Sequence, residues 1–170
     1  MNDSIGMNYC APDANVWAVN LDGRYMSAVQ NYLVADGIPT GGVTKIVSNA
    51  AQTLSYCPDP EGIGKCQKTG IVIGKVQSGK TSNFISITAL AFDNDYDIVI
   101  VLGGTKKPLV KQNRDRIKEY FSTTKDVLVL DTTDFKDQLT AQKMHQFRKM
   151  NKKVVIVALK SPAQINYIAD

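Results

Sequence analysis

Between a short apolar run and a longer one, the chain reads Gly74-Lys75-Val76-Gln77-Ser78-Gly79-Lys80-Thr81, which fits the spacing G-x-x-x-x-G-K-[ST]. These are the residue types that holding a phosphate group requires. Gly74 and Gly79 permit backbone turns and a close approach that a Cβ would block, so that successive N–H groups face anionic oxygens. Lys75, Val76, Gln77 and Ser78 supply further backbone donors. Lys80 can reach the β- and γ-phosphates as a point charge, and the Thr81 hydroxyl can ligate Mg²⁺. This Walker A pattern predicts that the chain binds ATP, or another nucleoside triphosphate, together with Mg²⁺. The bland alternative is a glycine-rich strand-to-helix turn with a surface lysine.

The elements that must position this loop are legible as apolar runs. Ile71-Val72-Ile73 precedes it and reads as a buried strand, and Phe84, Ile85, Ile87, Leu90 and Phe92 follow it at helical spacing, the strand–loop–helix setting the motif needs. Three more runs, Ile98 to Leu102, Val127 to Leu130 and Val154 to Ala158, also read as buried strands. Helix-length stretches separate them, at about 81–92, 108–121 and 138–150. Alternating runs of this kind predict an α/β fold with a parallel sheet and right-handed crossover helices.

Ahead of this region the pattern is helical. Val16, Trp17, Val19, Leu21, Tyr25, Met26, Val29, Tyr32 and Leu33 recur at helix-like spacing, and Val43, Ile46, Val47, Ala50 and Leu54 form a second stripe. Asp36 to Gly42 forms a turn between them. Pro58-Asp59-Pro60-Glu61-Gly62-Ile63-Gly64 stops regular structure. The expected organisation is a helical accessory segment, 1–66, followed by a P-loop domain, 67–170.

Charge separates the same two parts. Residues 1–66 hold 3 Lys/Arg against 6 Asp/Glu, or −3, and residues 67–170 hold 17 against 10, or +7. A basic phosphate-loop half fits a polyanionic partner such as nucleic acid. Cys10, Cys57 and Cys66 form an odd, widely spaced set with no C-x-x-C, so they read as reduced thiols and not as a disulfide framework or a zinc site. The single histidine, His145, lies among Lys143, Arg148 and Lys149 and reads as a surface residue. Gly62-Ile63-Gly64-Lys65-Cys66-Gln67 starts like a dinucleotide fingerprint but lacks the third glycine and precedes its strand. No apolar stretch approaches the roughly 20 residues of a membrane span, and a soluble cytoplasmic protein with no membrane partner is expected.

The order of strands and motifs resembles domain one of the superfamily-two helicases and translocases, which include the DEAD-box proteins. The stretch Gly70 to Asn83, with its Val-Gln-Ser-Gly-Lys-Thr core, more specifically resembles the Z-one domain of endonuclease and ATPase proteins in bacterial restriction and defence systems. Cys57-Pro58-Asp59-Pro60 looks like the Asp-Pro element preceding the loop in that family. The resemblance implies a RecA-like P-loop fold and ATPase activity dependent on nucleic acid, with DNA as the expected partner. Gly103-Gly104-Thr105-Lys106-Lys107-Pro108-Leu109-Val110-Lys111-Gln112 is similar to motif Ia, and Leu159 to Ile165, with Ser161 and Pro162, looks like motif Ib. Through them the family implies contacts to the nucleic-acid backbone from Gly103, Gly104, Thr105, Lys106, Lys107, Lys111, Ser161 and Pro162. Arg114, Arg116 and Lys118 could add sequence-independent attraction.

The helicase pattern next requires a Walker B acid and a second domain bearing arginine fingers, and neither is recognisable. Val127-Leu128-Val129-Leu130-Asp131 is a rival Walker B position, but the helicase order makes it an intervening strand. The expectation is an amino-terminal part of a longer protein or of a restriction or defence complex, binding nucleotide and hydrolysing it poorly alone. Two other classes stay open: a P-loop kinase or phosphotransferase, and a non-hydrolysing nucleotide-binding interaction module.

Overall fold

Residues 16–62, 67–72, 79–131 and 141–169 are described by the computed structural model, and they fall into two compact units divided between Asp95 and Tyr96. The first unit contains three helices, α1 (Arg24–Ala35), α2 (Thr40–Ser55) and α3 (Lys80–Asp93). Helix α1 buries Tyr25, Met26, Val29 and Leu33 on one stripe, and α2 buries Val43, Val47, Ala50 and Leu54. Both pack on α3. That double contact explains why α3 buries residues nearly all round its second half, from Thr88 to Phe92. Met26, Val29, Leu33, Ile85 and Leu90 are fully buried, each contributing about 1.5–3 kcal/mol of transfer free energy. Tyr25 meets Phe92 edge to face, with centroids 5.5 Å apart.

Two expectations for this part are corrected. The helical pattern read from Val16 onward gives helix only from Arg24; residues 16–23 carry none. Here Trp17 donates from Nε1 to the Cys57 carbonyl, and Asn20 exchanges two hydrogen bonds with the Asn94 side chain, so polar bonds to residues distant in sequence replace the helical ladder, and Gly23 marks the start of the helix. The strand expected over Ile71 to Ile73 is not formed at Ile71 and Val72, which pair with nothing in the sheet and are 82 % and 43 % exposed. A three-residue run between Gly70 and Gly74 carries too little ladder of its own to hold a strand without a partner. Ile73 lies outside the described residues.

The second unit is a three-stranded parallel sheet with flanking helices. It runs β1 (Ile98–Leu102), α4 (Lys107–Tyr120), β2 (Val127–Asp131), α5 (Ala141–Lys149), β3 (Lys153–Ala158) and α6 (Pro162–Ala169), in the strand order β1-β3-β2. Central β3 is the most apolar environment, with Val154 to Ala158 at most 3 % exposed. In register, Ile98, Val154 and Leu128 share one face, as do Ile100, Ile156 and Leu130. On that face Met144 and Phe147 of α5 and Ile168 of α6 pack against Leu130, Val154, Ile156 and Ala158. Helix α4 packs on the opposite face, where Arg114 meets Asp131. The crossover from β1 to β2 and the one back to β3 run in opposite directions, so connections of one hand place α4 and α5 on opposite faces.

Of the strands expected to be buried, β3 is buried from Val154 to Ala158 and β2 at Leu130 and Asp131, but β1 is not. Ile98, Ile100 and Leu102 remain 42, 47 and 44 % exposed. Among the described residues β1 pairs only with β3 and no helix covers this part of its face, so its apolar alternation is half satisfied. The helices end within a residue or two of the expected bounds at 80–93 and 107–120, and residues 138–140 lie outside the described residues. Among the described residues no helix is long and apolar enough to cross a membrane.

Candidate functional site

Lys80 and Thr81 are the first two residues of α3, and Gly79 immediately before them has φ +73 and ψ 23. This left-handed conformation costs a residue with a Cβ about 1–2 kcal/mol, and glycine almost nothing. It turns the chain into the helix, whose ladder starts with the Asn83 N–H donating to the Gly79 carbonyl at 3.0 Å. The first turn has no acidic residue, and glycine offers no side-chain cap, so the positive end of the helix dipole is not offset by a carboxylate of that turn. Lys80 is exposed and Thr81 half-buried. Gly74, Lys75, Val76, Gln77 and Ser78 lie outside the described residues.

The far end of α3 is anchored, which makes its first turn a fixed support. Asp93 accepts hydrogen bonds from the backbone N–H groups of Tyr25 at 3.1 Å and Met26 at 2.7 Å. α1 and α2 both pack on the helix, whose buried residues run from Ile85 to Phe92. Groups mounted on such an element hold their position more closely than groups on a loop. Among the described residues no cluster of three His, Cys, Asp or Glu could hold a metal by itself. Mg²⁺ suits a different arrangement, in which phosphate oxygens and water supply most ligands and the protein adds one or two; the Thr81 hydroxyl fits that role.

The remaining expected site residues gather at the carboxyl end of the sheet in the second unit. After β1 the Gly103 N–H donates to Ala158 O, and after β3 the Lys160 N–H donates to Gly104 O, both at 2.8 Å. The two strand-end loops are thereby joined, bringing Gly103, Gly104 and Thr105 beside Lys160, Ser161 and Pro162. Lys106 and Lys107 lead into α4 and Pro162 opens α6, again with no acid in either first turn. Lys106, Lys107 and Lys111 are exposed, as are Arg116 and Lys118. The outer stripe of α4 beyond its first turn mixes signs, with Lys111 and Arg116 beside Asp115 and Glu119, so uncompensated positive charge concentrates at its amino end.

Arg114 differs from its sequence reading, and Asp131 lies on a strand as the preferred reading had it. Arg114 is not an exposed cation for phosphate: it pairs with Asp131 and with Asp115. The hydrogen bond to Asp115 and the charge of Asp131 hold its guanidinium above its ordinary pKa. Asp131 in turn is 4 % exposed and committed to Arg114, the partnering a buried carboxylate needs. A Walker B role there would require breaking that pair. His145 is exposed, as its charged neighbours implied.

Sequence reasoning missed Lys160, Asn113 and Gln164. Lys160 adjoins the expected Ser161 and could have been added by proximity. Asn113 Nδ2 donates to Gly103 O at 3.3 Å, a contact that leaves no mark in sequence spacing, and the Leu159 N–H donates to Gln164 Oε1 at 2.7 Å, for which the S-x-x-Q spacing of Ser161 to Gln164 at a helix start was an available signal. Comparison with family models, curated proteins and solved structures finds no match to this chain.

Proposed function

We propose that the chain binds the phosphates of a nucleoside triphosphate, ATP foremost, with Mg²⁺ at the loop Gly74–Thr81, as part of a nucleic-acid-dependent, helicase-like ATPase of P-loop type. The observation that carries this reading is the left-handed Gly79 set directly before a helix that begins Lys80-Thr81. That is the backbone geometry in which G-K-[ST] serves an anion. Lys80 neutralises β/γ-phosphate charge, the Thr81 hydroxyl ligates the ion, and the first-turn N–H groups orient toward the phosphate oxygens. Bound Mg²⁺ would draw the phosphate oxygens together and offset their charge.

The joined loops at the carboxyl end of the sheet support the nucleic-acid part. They carry Lys106, Lys107 and Lys160 beside the amino ends of α4 and α6, a set suited to sequence-independent contact with phosphodiesters. DNA is the partner we assign, within a longer protein or a restriction or defence complex.

Calorimetry tests the nucleotide reading. Mg²⁺-ATP binding is expected for the chain and is lost in Lys80→Ala and Thr81→Ala while far-UV circular dichroism stays unchanged. Equal affinity in both variants removes the phosphate-loop assignment. Anisotropy of labelled DNA tests the partner: binding should weaken steeply with salt and fall when Lys106, Lys107 and Lys111 are neutralised.

A further inference from the structure

We propose that Asn113 and Gln164 are positioning residues which lock the two strand-end loops together, so that their lysines meet a polyanion as one surface. The inference rests on the nucleic-acid reading above and adds residues that contact no phosphate themselves.

The loops are connected in series. Asn113, in the second turn of α4, donates to Gly103 O at 3.3 Å; Gly104 O accepts from Lys160 N at 2.8 Å; and Leu159 N donates to Gln164 Oε1 at 2.7 Å. A path of hydrogen bonds thus leads from α4 through both loops to the first turn of α6. Lys160 is a member of it, and Lys106 follows Gly104 by two residues at the start of α4. Space is tight at the first glycine and the backbone favours glycine at the second. A Cβ on Gly103 would lie 3.0 Å from Asn113 Nδ2 and 3.4 Å from Val110 Cα, and Gly104 has φ +110. The Gln164 contact follows the logic of a helix start, where a polar side chain in the first turn reaches back to a preceding N–H. Both side chains are half-buried, so each bond is made partly out of water, where losing a partner costs more.

Both side-chain amides are engaged with main chain, and their effect passes through the placement of Lys106, Lys107 and Lys160. A loop that drifts engages fewer cations at once, and the salt dependence of binding counts those cations: log K falls with log salt at a slope of about −0.7 per phosphate neutralised on single strands.

The test uses fluorescein-labelled oligothymidylate and the full chain, titrated at several NaCl concentrations, with Asn113→Ala, Gln164→Ala and the double variant beside wild type. Thermal melting is followed in parallel. Each single variant is expected to bind roughly tenfold more weakly with a slope shallower by about one cation, and the double variant to lose less than the sum, since both break one path. Asn113→Leu and Gln164→Met, close in volume and without the bonding atoms, repeat the measurement where alanine lowers the melting temperature. Unchanged affinity and slope in these variants, with wild type binding, overturns the positioning role alone. Failure of wild type to bind at low salt, or a slope indifferent to neutralising Lys106, Lys107 and Lys111, overturns the nucleic-acid reading and this inference with it.

Discussion

Asp93 and Gly23 approach so closely that a Cβ placed on Gly23 would stand 1.9 Å from the Asp93 Cγ. The absent side chain lets the carboxylate seat itself on the first turn of α1, where it accepts from Tyr25 and Met26. One end of α3 thus serves as the amino-terminal cap of α1, a helix with no side-chain cap of its own. Asp93→Ala should cost about 0.5–2 kcal/mol, the range for a lost helix cap. Gly23→Ala should cost more, because carboxylate and methyl cannot share the space. Urea denaturation followed by circular dichroism measures both, and a neutral Gly23→Ala would contradict the geometry.

The Arg114–Asp131 pair predicts an asymmetry. Arg114→Ala leaves a buried carboxylate without its cation and should destabilise the chain by about 1–3 kcal/mol. Replacing both partners, as Arg114→Met with Asp131→Leu, should recover most of that loss. Asp131→Asn should lower stability without changing Mg²⁺-ATP affinity in calorimetry; a large affinity loss would instead give Asp131 a role at the metal.

Glycines at two positions should respond with opposite sign. Gly104, at φ +110, resists a side chain, and Gly104→Ala should cost about 1–3 kcal/mol. Gly41 lies in the first turn of α2 with nothing within 4 Å of an added Cβ. Gly41→Ala should stabilise by about 0.4–1 kcal/mol, chiefly by restricting the unfolded chain. Denaturation midpoints at constant m-value report both.

Burial pushes the Cys57 thiol above its ordinary value of 9.0, partly countered by the charge of Lys68. Because the thiolate is the reactive form, alkylation of Cys57 by iodoacetamide in the folded chain should rise at higher pH than in urea, as read by peptide mass spectrometry. Stability has the matching sign. A folded pKa above the unfolded one stabilises the fold fully below the unfolded value, and the contribution is lost as pH rises through the folded value.

Where periodicity alone decides an element, the sequence was readable. The stripe Val43, Val47, Ala50 and Leu54 of α2 is buried as its spacing implies, and the β-branched runs at Ile98, Val127 and Val154 are the three paired strands. Ile71 and Val72 have the same residue types but no ladder partner, and partner identity is not a local property of three residues. Gly103, Gly104 and Ser161, named through the resemblance to motifs Ia and Ib, lie after β1 and β3 as expected of strand-end turns. Asn113 and the Asp93 cap were not legible, since each depends on a helix face meeting main chain elsewhere, whereas the contact of Gln164 with Leu159 spans only five residues. The 67 and 68 residues that separate Asp93 from Met26 and Tyr25 carry no pattern that announces the bond.

Strand β1, Ile98-Val99-Ile100-Val101-Leu102, contains no lysine, proline or acid to discourage an incoming chain. Among the described residues β1 pairs with β3 alone, and a strand edge without a partner can be read by any extended segment regardless of side-chain identity. The colloidal behaviour of the protein is therefore predicted to depend less on its net charge of +4 than on whatever keeps other strands away from these five residues. Preparations should show association that grows with concentration and persists at high salt, and a single lysine at Ile100 should suppress it.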